Sequence, residues 1–352
     1  MIEVKGTNIT CGLGLDTDTV YDKILRGESG IMLHDKAQIG VTEDFMASTV
    51  DASLLPATDM YGIATHLEKM AIHSIMLASK ECPDIDLKSP RTLFILSSTK
   101  GNVELLDHPI EDIDNQRVCI PEMARYIASR FNTKQQPVVV SNACISGLSA
   151  IILAGRLLKA GIYDNIVVTG VDVVTKFTVS GFQSFKALSA KRCRPFDSSR
   201  DGLNLGEAAA TIILSRTDTV TPGHWYYESG AMHNDANHIS GPSRVGEGSF
   251  RCLMSVIKDM DVNNLAMINT HGTATPYNDE MESIAIERAG LASIPVNAYK
   301  GYLGHTLGAA GILECIISMK SLDNNTVIKT LGFENIGVSR HINIVTDNTT
   351  ST

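Results

Sequence analysis

Basic charge is in short supply in this chain. Its 30 Lys and Arg stand against 39 Asp and Glu, a formal net charge of −9. A nucleic-acid-binding domain usually carries a basic face, so this balance argues against nucleic acid as the main partner. Long apolar runs are also missing. The N-terminus, MIEVKGTNIT, lacks the apolar core of a secretory signal. Stretches such as AIILAGRLL are too short and too interrupted to span a bilayer, so no membrane association is expected. Metal-type cysteine spacing is absent as well. The seven cysteines (Cys11, Cys82, Cys119, Cys144, Cys193, Cys252, Cys315) are odd in number, which suits a reducing cytosol better than a disulfide framework. A cytoplasmic protein without a metal site is therefore expected. No low-complexity linker interrupts the 352 residues, so one compact body is expected.

What is present is material for a core: 43% hydrophobic and 20% charged residues. Short apolar runs read as strands over 91–98, 137–142, 165–172, 209–215, 265–270, 294–299 and 341–345. Helical periodicity fills 62–80, 121–131, 145–160, 249–260, 278–289 and 308–322. This alternation predicts an α/β protein with mostly parallel sheets. Two segments echo each other: VVVSNACISGLSAIILAGRLL and VNAYKGYLGHTLGAAGILECII. Each runs from strand to sharp turn to a helix thinned by small residues. Helices this thin can pack closely, which suggests two related halves with those helices back to back. Two unrelated strand–helix turns would look similar, and the echo alone does not choose.

Three polar points stand out. Cys144 lies where a buried strand turns into a helix. There the helix dipole and free backbone N–H groups favour a thiolate and can hold an oxyanion. A cysteine in such a place is otherwise a small buried apolar residue. His271 sits in the hydroxyl-rich turn INTHGTATPYNDEMES, with Asp279 and Glu282 at the start of the next helix. Asp279 as a helix-end charge and Glu282 as a surface residue are as good a reading as a role for the two in the site. Lys300 and His305 share the glycine-rich turn NAYKGYLGHTLGAAG. Two cationic groups that close, if buried, each favour the neutral form of the other, and a neutral imidazole can donate to a developing oxyanion.

Taken together, these motifs resemble the β-ketoacyl-acyl-carrier-protein synthases, in particular the Cys-His-His elongating class of the thiolase-like superfamily. NACISG resembles the nucleophile turn, HGTATPYNDEMES the first histidine motif, and KGYLGHTLGAAG the lysine and second histidine motif. RPFDSSRDGLNLGEAAATIILS is similar to the family's arginine–aspartate–glycine block, and GLGLDTDTVYDKILRGESGI to its opening. The resemblance implies a five-layered α-β-α-β-α body of two α/β halves, residues 1–215 with the cysteine and 216–352 with both histidines. It implies decarboxylative Claisen condensation of an acyl-cysteine with malonyl-carrier protein, in fatty acid or polyketide and polyene biosynthesis. No cofactor is implied beyond the phosphopantetheine of the acyl carrier protein. A homodimer, or a heterodimer with another synthase, is implied as well. By matching motif, Cys144 is the nucleophile. His271 and His305 bind the malonyl thioester carbonyl, and Lys300 tunes their electrostatics within a support network that includes Asp279 and Glu282. Thr273 and Thr275 contact the pantetheine arm, and Phe182 stands where acyl and pantetheine channels meet. Apart from the resemblance, Lys186, Lys191 and Arg192 in KALSAKRC give local positive charge on an acidic chain, which reads equally well as a dock for an acidic carrier and as a solvated loop.

The sequence departs from the family at its end. The C-terminal half lacks the family's last strand and closing glycine-rich loop, which leaves HINIV (341–345) expected as an edge strand with unpaired backbone groups. That departure keeps a second reading open: a weakly active, chain-length-factor type partner of a complete synthase. A Cys-His hydrolase is a third, for which the second histidine and Lys300 are surplus.

Overall fold

The computed structural model describes residues 1–235 and 243–351. The chain opens with β1 (Ile2–Cys11), α1 (Thr17–Leu25), β2 (Ile31–His34), β3 (Phe45–Ser48) and α2 (His66–Lys80). It continues through β4 (Thr92–Ser97), α3 (Ile120–Ser129), β5 (Val138–Val140), α4 (Ser146–Lys159), β6 (Asn165–Asp172) and α5 (Lys176–Ser184). Then come β7 (Leu205–Gly206), β8 (Ala208–Arg216), α6 (Glu247–Ile257), β9 (Ile268–Asn269), α7 (Pro276–Arg288) and β10 (Val296–Asn297). The chain closes with α8 (Lys300–Leu303), α9 (Ala310–Asp323), β11 (Thr326–Val327) and β12 (Thr349–Thr350).

The main sheet has the order β1-β8-β6-β4-β5. It is mixed rather than mostly parallel: β1/β8 and β8/β6 run antiparallel, β6/β4 and β4/β5 parallel. The departure comes from β8 alone, which runs opposite to both its neighbours, so that β1 points the same way as β6, β4 and β5. β1 is a ten-residue strand that the apolar-run reading passes over, because IEVKGTNITC is broken by Lys5, Gly6, Thr7 and Asn8. The sheet is buried on both faces. All six residues of β4 are buried, and so are seven of the eight in β6, the pattern of strands covered on both sides.

One face packs on α2 and α3 through Leu67, Met70, Ile75, Met123 and Ile127. The other packs on α4 and α9 through Ala150, Ala154, Ile312 and Ile316. Beyond α9 lie β9 and β10, and beyond these α6 and α7, joined by Ile286, Val296, Leu253 and Ile257. These are the five layers of a thiolase-like fold. The two small-residue helices do meet at the centre. A Cβ on Gly147 would come within 3.0 Å of the Gly308 carbonyl oxygen, and one on Gly311 within 2.6 Å of Leu148. Burial is not complete around α4, whose Leu148 is exposed, as is Ile145 just before it.

The segment 341–345 is not the loose edge expected of it. Val296 N–H donates to the Asn343 carbonyl at 2.7 Å and Val345 N–H to the Val296 carbonyl at 2.9 Å. On its other side, Thr330 N–H donates to the Val345 carbonyl at 2.8 Å. Ile342 and Ile344 are buried in the layer against Phe196 and Val338. No helix among the described residues is long and apolar enough to cross a membrane.

Candidate active site

Each functional side chain stands beside a strained turn. Ala143, just before Cys144, has φ 46°; Ala274, three residues after His271, has φ 61°; Leu307, two after His305, has φ 51°. Non-glycine residues rarely adopt this left-handed conformation, and it costs energy that the surrounding structure must hold in place. The three turns bring Cys144, His271 and His305 together. The thiol sulfur and one nitrogen of each imidazole lie within 4.8 Å of one another. The imidazoles meet edge to face, with ring centroids 5.0 Å apart.

His305 is pinned from both sides by β7 and its approach: its N–H donates to Asn204 O at 2.7 Å, and its carbonyl accepts from Gly206 N–H at 3.0 Å. Its Nδ1 accepts the Leu307 N–H at 3.2 Å. An Nδ1 that accepts carries no proton, so the neutral ring bears its hydrogen on Nε2. That Nε2 is buried and has no hydrogen-bond partner among the described residues. Burial, and then the Lys300 ammonium, hold His305 well below the usual histidine range. His271 is depressed in the same way, by burial first, then by Lys300 and His305. The pair is neutral at physiological pH.

Lys300 is buried and donates from Nζ to Glu314 Oε1 at 2.7 Å. Glu314 is the partner the sequence reading did not name. The available signal was a lone acid in the apolar run AGILECIIS on α9. Asp279 and Glu282, read above as either helix-end charges or site residues, are both turned inward from α7. Glu282 accepts the N–H groups of His271 and Gly272, each at 2.7 Å, and an Asn278 side-chain amide. Burial and the neighbouring Asp279 push Glu282 up to about 7. Asp279 accepts from Phe196 N–H at 2.7 Å and Ala274 N–H at 3.2 Å, with the Arg200 Nε 3.8 Å away. Arg200 also donates to the carbonyls of Asp197, Gly337 and Pro276, so the arginine–aspartate block braces the helix behind His271.

Two cavities open on Cys144. One, of about 670 Å³, is lined by Thr99, Lys100, Phe177, Phe182, Phe185 and Leu307. Phe182 therefore lines a cavity shared with the cysteine. The other, of about 540 Å³, runs between α4 and α9 and also reaches His271. Thr273 and Thr275 line neither; they lie on the turn into α7, with hydroxyls 2.8 Å apart. Lys186, Lys191 and Arg192 are exposed on the loop after α5.

The thiol departs from expectation. Cys144 sits one residue before the N-cap Ile145. Burial raises it above the ordinary thiol range, with Lys300 pulling it down and Asp172 pushing it up. Burial outweighs the helix end, so the resting group is a thiol. Two imidazoles and a thiol are also a donor set that zinc accepts. The Lys300 ammonium, whose field lowers both imidazoles and Cys144, opposes a dication here.

This geometry agrees with what the chain is similar to. Residues 96–219 match the model of the β-ketoacyl synthase N-terminal domain, and residues 226–334 that of the C-terminal domain. The 3-oxoacyl-[acyl-carrier-protein] synthase 2 of Rhizobium meliloti is 34% identical over 223 residues, 58% of this chain and 53% of that protein. The chain thus spans about half the length of such curated relatives in these matches. The synthase of the same name from Vibrio harveyi is 24% identical over 366 residues, 95% of this chain and 88% of its own length. Among solved structures, the ketosynthase ApeO in complex with its chain length factor ApeC, from Xenorhabdus doucetiae, is similar with a TM-score of 0.89. That match has 21% identity and covers 99% of this chain and 92% of the other. With both domain models matched in order across a thiolase-like body, the chain belongs to the β-ketoacyl synthase family.

Proposed function

We propose that this chain is a β-ketoacyl-acyl-carrier-protein synthase of the Cys-His-His class. The observation that carries the reading is the convergence of Cys144 with two neutral imidazoles, one of which has a buried, unpartnered Nε2–H. Cys144 Sγ attacks the carbonyl of a carrier thioester. A carbon–sulfur bond forms to Cys144, the bond to the carrier breaks, and the thiol proton leaves with the carrier sulfur. Malonyl-carrier protein then loses CO₂, and the electron pair becomes an enolate whose oxygen is held by His271 and His305. The enolate carbon attacks the acyl-cysteine, forming the carbon–carbon bond and releasing the Cys144 sulfur as a thiolate, which takes up a proton from water to return to the thiol. Preorganised donors at a developing oxyanion contribute about 10²–10³ in rate each.

The acyl chain occupies the cavity lined by Phe182, and Thr273 and Thr275 face the pantetheine arm. An acidic carrier docks at Lys186, Lys191 and Arg192, a contact whose strength falls with salt. A second synthase-type subunit pairs along β5, an edge strand that is half-buried and is followed by exposed Ile145 and Leu148. The partner-subunit reading is favoured by one observation, that the similar Xenorhabdus ketosynthase was solved with its chain length factor.

Acylation of Cys144 and CO₂ release from malonyl-carrier protein, measured separately, test the proposal. Both are expected in the wild-type chain. His271→Ala and His305→Ala should keep acylation and lower CO₂ release by about 10²–10³, because enolate charge appears only in the second step. A wild-type chain that does neither step is a partner subunit, and one that only frees acid is a hydrolase.

A further inference from the structure

A buried carboxylate that the chemistry above does not use lies directly under the second histidine turn. Asp172 ends β6, in the middle of the main sheet, and is 1% exposed. Every partner it has is a neutral donor. Oδ1 accepts from Ser98 Oγ at 2.7 Å, from Thr99 N–H at 3.1 Å and from Lys100 N–H at 3.4 Å. Oδ2 accepts from Thr99 N–H at 2.9 Å and from Gly308 N–H at 2.7 Å. Gly308 directly follows Leu307, the residue whose N–H occupies His305 Nδ1 while its own backbone is held at φ 51°. A second bond, from Ser97 Oγ to the Gly308 carbonyl at 3.0 Å, holds the opposite side of the same residue.

We propose that Asp172 is the positioning residue of His305: by clamping Gly308 N–H against the loop at Thr99, it keeps the strained Leu307 N–H on Nδ1 and so fixes the tautomer with the hydrogen on Nε2. The inference rests on His305 acting as a donor in condensation. A strained turn relaxes unless its neighbours over-determine it, and a carboxylate is suited to the task because it only accepts. An asparagine is not. Its NH₂ must face either the Gly308 N–H or the Thr99 N–H, and either orientation sets donor against donor. Asp172 makes no hydrogen bond to the thiol or the imidazoles; its charge pushes Cys144 up, and its effect on His305 passes through the turn.

The test reads the tautomer rather than turnover. In protein carrying ¹⁵N-histidine, His305 should show a protonated Nε2 and a bare Nδ1. In Asp172→Asn the single tautomer should give way to a mixture. CO₂ release should fall by about tenfold, short of the loss from removing the donor outright, and acylation of Cys144 should stay within about threefold. Should Asp172→Asn fail to fold, Gly308→Ala presses on the same clamp, because its Cβ would lie 2.7 Å from Asp172 Oδ2. It should mix the tautomers too. Ser97→Ala loosens the turn without touching the carboxylate and should leave the tautomer single. A single Nε2–H tautomer in both Asp172→Asn and Gly308→Ala overturns the proposal, as does an equal scrambling by Ser97→Ala. Because this readout needs no turnover, an inactive chain sinks the proposed function alone, and an active chain with an unmoved tautomer sinks the positioning role alone.

Discussion

Cys144 is a half-buried thiol in the field of a buried ammonium, and loss of water and the ammonium act on it in opposite directions. Loss of water around the sulfur disfavours the thiolate, while Lys300 favours it; the net effect is upward. A thiol at rest is compatible with acyl transfer if the proton leaves as the new bond forms, and it spares the sulfur from idle oxidation. Alkylation of Cys144 by iodoacetamide, followed against pH, should accordingly have its midpoint above that of a free cysteine. Lys300→Met should move the midpoint further up, because the cation is the largest effect opposing burial. That change would leave Glu314 buried without its partner, so the double variant with Glu314→Gln is the cleaner comparison. A midpoint below that of a free cysteine would mean that the helix end dominates after all.

At the scale of elements, one close constraint is the crossing of α4 over the turn that leads into α9. Gly147 lets the two backbones touch. A methyl there would meet the Gly308 carbonyl oxygen at 3.0 Å and the Ile312 nitrogen at 3.1 Å, neither of which is a side chain that can rotate away. Gly147→Ala should therefore destabilise the protein by about 1–3 kcal/mol, read as a lower denaturant midpoint at unchanged slope. Acylation should suffer too, since α4 carries the cysteine turn. An unchanged midpoint would show that the helices are free to separate. The sequence suggested this crossing through the small residues that follow two strand–turn motifs, an echo that did not by itself choose it over two unrelated turns. Cys144 and His271 were legible as polar residues in turns that follow β5 and β9, whereas α8 carries Lys300 and stands between β10 and His305. Other parts were not. β1 is interrupted by polar residues, and β9 and β10 are two-residue strands whose wider apolar runs serve packing more than pairing. Segment 341–345 finds partners in Val296 and Thr330, which no local pattern encodes. Asp172 and Glu314 acquire meaning only when the fold sets them against Gly308 and Lys300.

For the whole molecule, the neutral histidines carry a cost that depends on pH. In the unfolded chain His305 binds a proton near pH 6.5, and in the folded protein only well below that. The unfolded state therefore holds more protons in the window between the two values, and stability falls as pH drops through it. His271 adds a slope of the same sign. Buried acids complicate the total. Glu282 and Glu104, both pushed up by burial to about 7, keep protons when folded that they lose when unfolded, so their contribution to stability declines as pH rises from about 4.5 to 7. The histidine contribution is best isolated as a difference. The side-chain amide introduced by His305→Asn can offer its carbonyl oxygen to the Leu307 N–H but does not titrate. The unfolding free energy of wild type minus that of His305→Asn should be flat above about pH 6.5. Below that it should fall by about 1.4 kcal/mol per pH unit, continuing until the folded histidine itself takes up a proton. A difference that stays flat down to about pH 5 would mean that His305 is charged in the folded protein. A cationic ring carries a hydrogen on both nitrogens, so the Leu307 N–H would have no lone pair to meet, and the donor geometry on which condensation depends would be lost.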